Sequence, residues 1–60
     1  QATGMVFQAL RYVGKDGVSD QVIRKLRRAL SADDKARLVR QSMQVPAWMQ
    51  PIAKRIAEAA

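Results

Sequence analysis

The sequence predicts an all-α fold, a small bundle of about four short helices. Apolar residues recur at helical spacing in separate stretches along the chain. Between them stand helix punctuation marks: the turn Gly14-Lys15-Asp16-Gly17, the cap residues Ser19 and Ser31, and the prolines Pro46 and Pro51. No segment alternates apolar and polar residues as a half-buried strand would.

The first helix is expected over Met5–Val13, with Thr3 as its N-cap and Val6, Ala9, Leu10 and Val13 as its buried stripe. Met5 and Tyr12 flank that stripe. Gly14 stands where a C-terminal glycine ends a helix. Ser19 caps a second helix over Asp20–Leu30, and Asp20 complements the positive end of its dipole. Val22, Ile23, Leu26, Ala29 and Leu30 form the apolar face of this helix. Arg24, Lys25, Arg27 and Arg28 are expected opposite.

Ser31 and Asp34 form a box-like cap for a third helix over Ala32–Met43. Ala32, Ala36, Val39 and Met43 share its expected core face, with Leu38 beside them, and Lys35, Arg37 and Arg40 point away. Val45-Pro46 ends this helix, since a residue before proline avoids α geometry. A turn runs through Trp48, and Pro51 opens a last helix where no backbone donor is needed, with Gln50 as a mediocre cap. Ile52, Ile56 and Ala60 form one row of that helix, and Met49, Ala53 and Ala57 form the next, with Lys54 and Arg55 outward.

A chain of 60 residues makes one small domain, residues 1–60, of marginal stability. It begins with Gln1, which suggests a piece of a longer protein. With no His and no Cys, neither a zinc site nor a disulfide is expected. The same absence, and the lack of a Gly-rich phosphate loop, argue against an enzyme, and no cofactor is expected. Asp33-Asp34 reads as first-turn capping rather than a metal or acid–base pair. No apolar run approaches the roughly 20 residues of a membrane span, and a cytoplasmic protein is expected.

Eleven Lys and Arg against five Asp and Glu give a net charge of +6, which favours acidic partners. A helix-turn-helix from the second and third helices would present Arg37, Arg40, Gln41 and Gln44 to bases. The aspartates at the start of the third helix oppose that reading, and its turn lacks the usual glycine. Trp48, the single Trp, sits between the two prolines. It fits core closure first, and an interface anchor second.

Three stretches carry a resemblance over nearly the whole chain: ALRYVG (Ala9–Gly14), VIRKLRRALSADDKARL (Val22–Leu38) and PAWMQPIAKRIA (Pro46–Ala57). In this order the chain resembles the C-terminal end of AbiEi-type antitoxins of bacterial toxin–antitoxin operons. The resemblance implies an antitoxin region whose partner is a cognate nucleotidyltransferase-fold toxin, an enzyme that transfers nucleotides, with tRNA among the targets in related systems. It also implies promoter DNA binding by an N-terminal winged helix-turn-helix, which this sequence does not include. The expected partner-binding residues are the cations Arg24, Arg27, Arg28 and Arg40 and the apolar anchors Trp48, Met49 and Ile52. The alternative is a basic helical module that binds DNA or RNA and regulates its own operon.

Overall fold

A computed structural model describes residues 2–58. Over these residues the fold is all-α, with four helices and no strand: α1 (Ala2–Val13), α2 (Asp20–Arg28), α3 (Ala32–Gln41) and α4 (Met49–Ala57). Single 3-10 turns, Lys15–Gly17 and Ser42–Gln44, follow α1 and α3. The radius of gyration is 10.0 Å, about what a compact chain of this length reaches.

α1 is already helical at Ala2, so Thr3 is not a cap. Thr3 lies three, four and seven residues before Val6, Phe7 and Leu10, and all four face the core. Phe7 takes the place expected of Val13, which is exposed at the far end. Gly14 ends the helix in left-handed geometry at φ 78°, and its N–H donates to the Leu10 carbonyl at 2.9 Å.

Ser19 caps α2, accepting from the Val22 N–H at 3.3 Å. The helix stops at Arg28, before the expected Leu30. The Ala29 N–H is shared between the Lys25 and Leu26 carbonyls, and the Leu30 N–H reaches Arg27 at 3.3 Å, so the last turn tightens. Leu30 then enters the core from the connection, while Ala29 stays exposed.

Ser31 and Asp34 form a full capping box at the start of α3, with bonds of 3.1 and 3.3 Å. The core side of α3 differs from the expected one. Leu38 is fully buried and Ser42 follows one turn later, its hydroxyl donating to the Val39 carbonyl at 2.7 Å. Ala32, Ala36, Val39 and Met43 are exposed. By sequence the exposed row is the apolar one, and the buried side carries a single leucine, Leu38, among polar positions, with Ser42 able to be buried because its hydroxyl is bonded within its own turn.

Ala47 and Trp48 form a turn in which the Met49 N–H donates to the Pro46 carbonyl at 2.9 Å and the Gln50 N–H to Ala47 at 3.2 Å. Pro51 is the third residue of α4, where its missing N–H has no intrahelical partner to lose. Gln50 is not a cap. It lies within α4, and its side-chain amide donates to the Val45 carbonyl at 3.1 Å, tying the turn shut. The row ending at Ala60 continues outside the described residues.

The main helix contacts are α3 with α4, α2 with α4 and α1 with α3. α3 and α4 thus each pack on two helices, and Met49, Ala53 and Ile56 insert from α4 into one core with Val6, Phe7, Leu10, Ile23, Leu30 and Leu38. α2 and α3 make little contact with each other.

Candidate protein-binding surface

The basic residues of α2 divide between two tasks. Arg24 and Arg28 are one turn apart on an exposed face, with Lys25 beside them. Arg27 does not lie with them. It is four residues after buried Ile23, so its side chain leans toward α4 and is 22% exposed. Its Nη2 donates to the Arg55 carbonyl at 2.6 Å and lies 3.8 Å from the Glu58 carboxylate. Its Nε is buried with no hydrogen-bond partner. Arg27 is a clamp on the C-terminal end of α4, where free carbonyls and the helix dipole favour a cation. Arg55 answers from α4, donating to Asp20 at 2.9 Å.

Arg40 is exposed on α3. The apolar candidates also separate. Met49 is 1% exposed and belongs to the core, so it offers no surface to a partner. Trp48 and Ile52 are half-buried, packed against that core with part of each side chain in solvent. Trp48 already has helical backbone angles, so Trp48, Ile52 and Arg55 run at helical spacing along one side of α4. The seven candidates are thus spread over three helices, and Arg27 and Met49 are taken up by the fold. Arg24 and Arg28 are on α2, Arg40 is on α3, and Trp48 with Ile52 is on α4.

A second surface was not visible as such in the sequence. Ala32, Lys35, Ala36 and Val39 of α3 and Ala57 of α4 line an open groove of about 370 Å³. Ala57, at the end of α4, lies across this groove from α3. The sequence signal was the Ala32–Met43 row itself, which has the periodicity of a core face but not its bulk.

Among the described residues no cluster of His, Cys, Asp or Glu could hold a metal ion, and no helix is long and apolar enough to cross a membrane. The arrangement presents exposed cations and half-exposed apolar side chains, which suits binding. In comparisons with known proteins, the chain matches no family model, no curated protein and no solved structure.

Proposed function

We propose that this chain is an antitoxin domain that neutralises a nucleotidyltransferase-type toxin by protein–protein contact. The observation that carries the reading is that the chain keeps Arg24, Arg28 and Arg40 exposed and leaves part of Trp48 and Ile52 in solvent beside a turn closed by Gln50. The resemblance across Ala9–Gly14, Val22–Leu38 and Pro46–Ala57 supplies the class of partner. A nucleotidyltransferase needs acidic metal ligands, and a basic surface of this kind complements an acidic rim. Trp48 and Ile52 give the apolar anchor. Met49 contributes as part of the core against which Trp48 packs, and Arg27 by fixing α2 on α4, rather than by touching the partner. The setting is the cytoplasm, where such a toxin meets its RNA substrates.

Co-expression with the toxin gene of the same operon tests this, with co-purification as the readout. A stable complex is expected. Trp48→Ala should raise the Kd about 30-fold, the effect of losing a hot spot of about 2 kcal/mol. Arg24→Ala should mainly slow association and change its salt dependence. Unchanged affinity of a folded Trp48→Ala variant would remove the anchor role.

A second reading rests on the outer face of α2, where Arg24, Lys25 and Arg28 are exposed and make no ion pair among the described residues. Such a face suits a nucleic-acid backbone. Binding of that kind weakens steeply with salt, whereas an anchored protein interface weakens much less.

A further inference from the structure

α3 carries more apolar surface than the bundle covers. The row Ala32, Ala36 and Val39, continued by Met43 in the 3-10 turn, lies on its solvent side. Val39 is 45% and Met43 81% exposed. The short side chains of Ala32, Ala36 and Ala57 make this row one wall of the α3–α4 groove rather than a flat surface. The groove is open and has a volume of about 370 Å³.

We infer that this groove docks an acidic amphipathic helix from a partner protein. Charge selects the occupant. Lys35 lines the groove, and Arg40 follows Val39 on α3. Lys54 stands one turn before Ala57 on α4. None of these three cations makes an ion pair among the described residues. Of the carboxylates near the groove residues in sequence, Asp34 is engaged in the cap of α3 and Glu58 lies 3.8 Å from Arg27. Asp33, in the first turn of α3, is the carboxylate beside the apolar row.

A second copy of the chain would bring one +6 charge against another, which opposes association through this face. Nucleic acid would meet the cations but leave Val39 and Met43 in water. A helix with large apolar side chains at i, i+3 or i+4 and i+7, flanked by Asp or Glu, satisfies both the floor and the rim. This rests on reading the chain as a protein-binding domain.

The test uses the folded 60-residue chain and two synthetic helical peptides sharing one leucine ridge, one flanked by Glu and one by Lys. Amide shifts are followed by NMR. The Glu peptide should move Ala32, Ala36, Val39, Met43 and Ala57, and the Lys peptide should not. Ala36→Glu should weaken the Glu peptide about tenfold or more, as loss of a central contact does. Met5→Glu, at another exposed apolar position, should leave it unchanged. Circular dichroism checks that both variants fold, and Val39→Asp gives an independent second lesion. Shifts centred on Met5, Tyr12 or Trp48, equal affinity for the two peptides, or no binding at millimolar peptide would overturn the inference. Co-purification separates the two proposals. A chain that captures the toxin but binds neither peptide would overturn the groove as a docking site and leave the antitoxin reading standing. A groove that binds the Glu peptide in a chain that captures no toxin would support the groove and overturn that reading.

Discussion

Arg24 and Arg27 are one helical turn apart on α2, yet only Arg27 is held by another helix. Replacing it with Ala removes a charged hydrogen bond to the end of α4 and the packing of its stem. The expected cost is about 1–2 kcal/mol, measured by urea denaturation. Arg24→Ala, at an exposed position without an ion pair among the described residues, should stay within about 0.5 kcal/mol. Equal costs would remove the clamp role of Arg27. The larger stakes are in the core. Leu38 is fully buried, and Leu38→Ala should cost about 2–5 kcal/mol, enough to unfold much of a domain this small at 25 °C. At this scale the sequence was misleading in an instructive way. It placed Arg27 and Met49 among the partner-binding residues by type, but a side chain's role depends on which way its helix is turned. Ile23 orients Arg27 and the α4 core row orients Met49, and those orientations depend on the neighbouring helices.

The helices themselves were legible because their ends are written locally. Ser19, Ser31 with Asp34, and Gly14 each bond as their positions imply. Ser31→Ala should cost about 1 kcal/mol through loss of the capping box. Two glycines give an opposed pair of predictions. Gly4 lies inside α1 with open space where a Cβ would stand, so Gly4→Ala should stabilise by about 0.5–1 kcal/mol. Gly14 has equal space but φ 78°, so Gly14→Ala should destabilise by about 1 kcal/mol. Thermal unfolding should therefore move up for the first and down for the second, by about 4–8 °C per kcal/mol at this size. The core face of α3 was not legible. Its only periodic apolar row, Ala32, Ala36, Val39 and Met43, faces solvent, and the buried side carries just Leu38 beside Ser42, a face defined by the packing of α4 and α1 on α3 and not by the pattern of α3 itself. The start of α1 was missed because Thr3 is a good cap by type, while its place in the fold is set by spacing to Val6, Phe7 and Leu10.

As a whole, the molecule is built around the α3–α4 pair, with α2 packed on α4 and α1 on α3. Its all-α class follows from periodicity and punctuation alone. The groove between α3 and α4 does not, because it needs an exposed row on one helix and Ala57 on another, distant in sequence. The charge of +6 spread over such a fold makes salt the variable that best separates its two readings. The most direct measurement is the salt dependence of the Kd for the toxin and for a short RNA, taken on the same preparation. The account predicts a toxin complex that persists, weakened only a few-fold between about 50 and 200 mM salt, and RNA binding that is weak and falls steeply over that range. Tight, salt-sensitive RNA binding with no affinity for the toxin would contradict it.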